Sequence, residues 1–177
     1  MRVGLLGMGS VLMRDDAFGP YAVRRLLARW DFPEEMRVED LGTPGLHLNP
    51  LLEDLDAAII IDTIKVDGPV GEVRLYRREA LMRLPAGPRT SPHDPGLHET
   101  LLTLEMAGNC PREFLLVGVV PGEVRAGTQI SSELEAAYPE VEAVVLDELE
   151  RFGYRIEKRQ PEATPDLWWL SGERGRS

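Results

Sequence analysis

Residues 57–61 read Ala-Ala-Ile-Ile-Ile, apolar at every position. A strand with one wet face alternates apolar and polar side chains, so an uninterrupted run demands cover on both faces. That places the segment in the centre of a sheet with helices above and below. Further runs at residues 2–6, 36–41, 71–76 and 113–120 read as strands. Helical spacing fills the intervals at 16–30, 46–55, 78–84, 97–107 and 131–152, with Pro139 expected to kink or split the last helix. Strands alternating with helices predict an α/β fold: three layers, α-β-α, around a mostly parallel twisted sheet with helices on both faces. Residues 85–96 hold four prolines and two glycines and read as a loop. Residues 1–159 form the expected single domain. Residues 160–177 read as a flexible tail whose Trp168 and Trp169 are available to dock on the body or on a partner.

A length of 177 residues suits one domain. The formal net charge of −10 argues against a nucleic-acid partner, because both surfaces would be negative. The lone cysteine, Cys110, allows no intrachain disulfide and no thiolate-rich metal site, and it reads as a helix-end or loop thiol. No apolar run approaches the roughly 20 residues that span a bilayer. The first residues, Met1-Arg2-Val3-Gly4, lead into a strand without a small-residue cleavage site. A soluble, cytoplasmic protein without a membrane partner is the expectation.

In an open parallel sheet, ligands collect beyond the carboxyl ends of the strands. The first strand leads through Gly7-Met8-Gly9-Ser10 to Asp15-Asp16, the second ends at Asp40, the central one ends at Asp62, and the proline-rich loop carries Ser91-Pro92-His93. Two site chemistries fit that rim. Gly7-x-Gly9 between a strand and a helix begins a dinucleotide fingerprint, with Asp40 available for a ribose hydroxyl. Against this, Leu12 stands at the third glycine position and two aspartates sit where a pyrophosphate would bind. In the second chemistry, Asp16, Asp62 and His93 offer two carboxylates and an imidazole to zinc or another divalent first-row ion, leaving coordination positions open. Each residue also has a structural role open to it: Asp16 as a helix cap, Asp62 as a strand-end turn residue, His93 as an exposed loop histidine. His98 reads as a first-turn or outer residue and His47 as structural. No Ser lies in a G-x-S-x-G elbow and no H-E-x-x-H helix is present.

Taken in order, these segments resemble the hydrogenase maturation endopeptidases, which process the large subunit of nickel–iron hydrogenases. The resemblance is carried by Gly7-Met8-Gly9-Ser10 running to Asp15-Asp16-Ala17-Phe18-Gly19-Pro20, by Asp40-Leu41-Gly42-Thr43-Pro44-Gly45, and by Ile59-Ile60-Ile61-Asp62-Thr63. Ser91-Pro92-His93 with Gly96-Leu97, and Leu115-Leu116-Val117-Gly118-Val119, complete it over about residues 1–155. It implies a twisted sheet flanked by helices, similar to a phosphorylase or peptidyl-tRNA hydrolase core. It also implies an endopeptidase that removes a C-terminal extension from the large-subunit precursor after nickel insertion. Asp16, Asp62 and His93 would contact nickel held in the substrate, with zinc or another divalent ion able to replace it in vitro. Asp40 lies in a D-x-G-T loop tied to cleavage or recognition, with Gly42, Thr43 and Gly45 on the substrate side. A monomer is the family expectation. A non-catalytic metal- or nucleotide-binding module is the competing expectation.

Overall fold

The computed structural model describes residues 1–83 and 94–173. Five strands form the main sheet: β1 (Val3–Met8), β3 (Arg37–Gly42), β4 (Ala57–Thr63), β5 (Val73–Arg77) and β6 (Glu113–Val119). Their order is β3-β1-β4-β6-β5. β3, β1, β4 and β6 run parallel, whereas β5 pairs antiparallel with β6 at one edge. That reversal has a simple cause. The connection between β4 and β5 contains no helix, and a parallel return needs a crossover of a dozen residues or more.

Every residue of β4 is buried, as its composition requires. Ala57, Ile59 and Ile61 pack on one side with α1 (Phe18–Arg29) and α5 (Ser132–Arg151). Ala58 and Ile60 pack on the other with α2 (Leu48–Leu52), α3 (Arg78–Arg83) and α4 (Asp94–Ala107). The mostly parallel three-layer sandwich is therefore present. Helix starts differ from expectation at α1, α2 and α4, with α2 beginning at Leu48 behind a 3-10 turn at Gly45–His47. α1 begins at Phe18, behind a 3-10 turn at Arg14–Ala17, and neither Asp15 nor Asp16 caps it. α4 begins at Asp94 rather than 97, because Pro95 lacks only an N–H that a first turn leaves unbonded anyway.

Pro139 does not split α5, which is continuous over 20 residues. Pro139 and Glu135, whose carbonyl loses its donor, both lie on the exposed face, where water can replace the bond. The expectation for the tail is corrected as far as residue 173. The backbone N–H groups of Arg159 and Ala163 donate to the carbonyls of Arg29 and Ala28 at 2.8 and 2.9 Å. A short antiparallel pair, β2 (Trp30–Asp31) with β7 (Glu157–Lys158), starts this docking. The tail ends in a 3-10 turn, Trp168–Glu173, with Trp169 only 5% exposed in the α1–α5 core. Trp168, set edge-on to it at 5.8 Å, is 56% exposed.

Candidate active site

The topology turns around at β1: β3 lies on one side of it and β4 on the other, which opens a crevice at their carboxyl ends. Glycines let α1 close on that crevice. A Cβ on Gly19 would stand 2.1 Å from the Met8 carbonyl oxygen and 2.5 Å from that of Ile61, and one on Gly7 would meet Gly19 at 2.4 Å. The start of α1 thus lies directly on the strand backbones, and the Arg14–Ala17 turn is carried to the ends of β1 and β4. Gly9 has φ +135°, and a Cβ there would sit 1.8 Å from the Asp16 carbonyl oxygen. The space a pyrophosphate would need beside Gly9 is filled by the chain's own turn. Gly7-x-Gly9 is a packing device here, and the dinucleotide reading loses its main support.

Asp15 and Asp16 are both fully buried, yet they serve different contacts. Asp15 accepts four hydrogen bonds from the segment between β6 and α5: from the N–H groups of Gly122 (2.8 Å), Glu123 (3.0 Å) and Ser131 (2.6 Å), and from the Ser131 hydroxyl (3.1 Å). Asp16 turns to the crevice. Its Oδ2 accepts the Ser10 N–H at 2.8 Å and its Oδ1 accepts the Thr63 hydroxyl at 3.2 Å. Asp62, 4% exposed, accepts the N–H of Thr63 at 2.7 Å. Thr63 thus makes one hydrogen bond to Asp16 and one to Asp62. Sequence reasoning left Thr63 out of the site, because a threonine at a strand end carries no signal beyond its neighbour Asp62.

Asp40 stands level with Gly7, whose other neighbour is Ile61. Two inter-strand spacings, about 10 Å, separate it laterally from β4. Its Oδ1 accepts the Gly42 N–H at 3.0 Å and its Oδ2 lies 3.6 Å from the Arg24 guanidinium on α1. The Gly42 carbonyl accepts the Gly9 N–H at 2.8 Å, which ties the loop after β3 to the turn after β1. Gly42 and Gly45 adopt φ of +57° and +52°, and open space surrounds the Cβ position of each. The left-handed backbone is what requires glycine at both. Thr43 is exposed beside them.

His93 falls outside the described residues. Asp94, which follows it, opens α4 on the sheet face to which Ala58 and Ile60 belong. Among the described residues no three His, Cys, Asp or Glu side chains form a group able to hold a metal ion. His98 is half-buried, with its Nε2 buried and unpartnered among the described residues, and His47 is exposed. Burial pushes the Cys110 thiol up, more than a hydrogen bond with Arg78 pulls it down, so it is a poor thiolate. No helix among the described residues is long and apolar enough to cross a membrane.

A family model for hydrogenase maturation protease (HycI) matches residues 20–148. The chain belongs to the hydrogenase maturation protease family. It is similar to the hydrogenase 2 maturation protease of Escherichia coli K12, with 31% identity over 93% of this chain and 96% of that protein. It is 32% identical to the hydrogenase expression/formation protein HupD of Bradyrhizobium diazoefficiens over 68% of this chain, a match spanning 62% of HupD's own length. Among solved structures, the hydrogenase maturating endopeptidase HybD from E. coli superposes with a TM-score of 0.84 at 29% identity, covering 90% of this chain and 99% of that one. As a hydrogenase maturation protease fold, the sheet order and flanking helices fit the expected architecture.

Proposed function

We propose that this hydrogenase maturation protease is an endopeptidase that removes the C-terminal extension from the nickel-loaded large-subunit precursor of a nickel–iron hydrogenase. The observation that carries the reading is that Asp16 and Asp62, both buried, each accept a hydrogen bond from Thr63 at the carboxyl end of β4. Carboxylates buried out of water are costly, and a cation relieves that cost. Asp16, Asp62 and His93 are the proposed contacts to nickel, which arrives as part of the substrate. Two oxygens and one imidazole nitrogen leave coordination positions for the ligands that nickel already has in the precursor. Docking on the ion holds the nearby scissile bond at high effective concentration. Zinc or another divalent ion is expected to occupy the same donors in vitro.

Asp40, outside the ion contacts, is proposed to act in cleavage or substrate recognition, the attacking water being activated either by the ion or by a carboxylate acting as base. Gly42, Thr43 and Gly45 present backbone and hydroxyl groups to the substrate chain. The lone cysteine and acidic charge are in keeping with action in the cytoplasm, as a monomer and without membrane or nucleic acid.

Intact mass of a nickel-loaded precursor, before and after incubation, tests the reading. Loss of a C-terminal peptide is expected with the unaltered protein, and neither with nickel-free precursor nor with Asp62→Ala. Stable complex formation without truncation would identify a binding module instead.

A further inference from the structure

We propose that Thr63 is the positioning residue that sets the two ion-binding carboxylates relative to each other. This rests on the reading of Asp16 and Asp62 as ion contacts. The two carboxylates reach the site from different places. Alternation along β4 puts Asp62 on the α4 face with Ala58 and Ile60, whereas Asp16 precedes α1 on the opposite face. Thr63 touches both, with different groups. Its side chain shares the α1 face with Ile59 and Ile61, and its hydroxyl donates to Asp16 Oδ1.

Its amide serves Asp62 because β1 stops short. Pairing of β1 with β4 ends at Gly7 and Ile61, and the next amide on the β6 side, that of Ile64, donates to the Val119 carbonyl. The Thr63 N–H therefore faces the side on which the ladder has run out, and Asp62 Oδ1 accepts it instead. The Ser10 N–H fixes the second oxygen of Asp16. Thr63 is 2% exposed, and its hydroxyl meets a fully buried carboxylate. Its use is the hydrogen bond to Asp16.

The experiment compares Thr63→Val and Thr63→Ser with the unaltered full chain. Nickel ion is titrated by calorimetry, nickel-loaded precursor is cleaved, and thermal unfolding is recorded without ion. Loss of a partner that orients a metal ligand costs roughly 10–100-fold in affinity or activity, and that loss is expected for Thr63→Val in both readouts. Thr63→Ser is expected to restore both to within about threefold and to melt close to the unaltered protein, whereas Thr63→Val melts lower through the lost hydrogen bond to a buried carboxylate. Should Thr63→Val fold poorly, Thr63→Ala removes the same hydroxyl without adding a methyl group. Nickel affinity and cleavage unchanged in a folded variant lacking the hydroxyl would overturn the proposal. So would Thr63→Ser failing as badly as Thr63→Val. Cleavage by Asp62→Ala at the normal rate would instead sink the underlying site assignment, and this inference with it.

Discussion

Asp15 and Asp16 are neighbours of one residue type, equally buried, and their long-range contacts alone separate them. Asp15 holds the segment before α5, so Asp15→Ala leaves three part-buried backbone donors and a hydroxyl without their acceptor. A loss of about 3 kcal/mol or more in urea unfolding is expected, since hydrogen bonds to charged groups contribute about 1.5–3 kcal/mol each and do not add fully. Asp40→Asn should behave in the opposite way: nickel contact kept, and cleavage down by about 10²-fold if the Asp40 carboxylate takes the proton of the attacking water. Parallel unfolding and single-turnover cleavage curves check both. Asp16, Asp62 and Asp40 were legible in the sequence because strand ends are where ligands gather. The division of labour between Asp15 and Asp16 was not, because the Gly122, Glu123 and Ser131 donors lie more than a hundred positions away. The contact of the Thr63 amide with Asp62 was not readable, because it depends on where β1 stops.

At the scale of elements, α5 is fastened to the sheet by charge at its carboxyl end. Glu148 accepts both guanidinium nitrogens of Arg77, at the end of β5, and is held by Arg151, which also reaches Glu113 at the start of β6. Burial alone would raise the Glu148 carboxyl, but the hydrogen bonds from Arg77 and Arg151 outweigh it and hold the group below the usual glutamate range. A depressed folded-state value contributes stability above the unfolded value, and that contribution fades as pH falls through the folded one. Glu148→Gln is therefore expected to unfold at lower denaturant at neutral pH, with the gap to the unaltered protein closing in acid. A gap of constant size across that range would show that Glu148 acts by packing alone. Element identity was readable from period and composition, including the central strand and the five α-helices among the described residues. The direction of β5 was not, since pairing sense depends on the length and path of a connection rather than on a strand's own residues.

Over the whole molecule, the segment after residue 159 is the main departure from the sequence reading. Its mixture of proline, charge and paired tryptophans resembles a loose tail by composition, yet Arg24 and Arg29 on α1 meet Asp166 and Glu162 and draw it along the helix. Trp169 completes the core over Tyr21 and Tyr138. Trp169→Ala is expected to destabilise by about 3–5 kcal/mol, the cost of emptying a buried aromatic site. Trp168→Ala should stay within about 0.5 kcal/mol of the unaltered protein, as an exposed position does. Equal melting temperatures for the two variants would show that the tail does not carry the core. Because Arg24 also faces Asp40, removing residues 160–177 is expected to lower cleavage as well as stability.

β4 has a further consequence before the fold exists. In the unfolded chain, Ala57–Thr63 is a short, β-prone, uncharged run up to Asp62, the kind of segment that seeds intermolecular sheets. Asp54 and Asp56 guard one end and Asp62 the other, as charged gatekeepers. Asp62 thus protects the nascent chain as well as completing the crevice. Its replacement by alanine extends the apolar run toward Ile64, and refolding by dilution should scatter more light for Asp62→Ala than for Asp16→Ala.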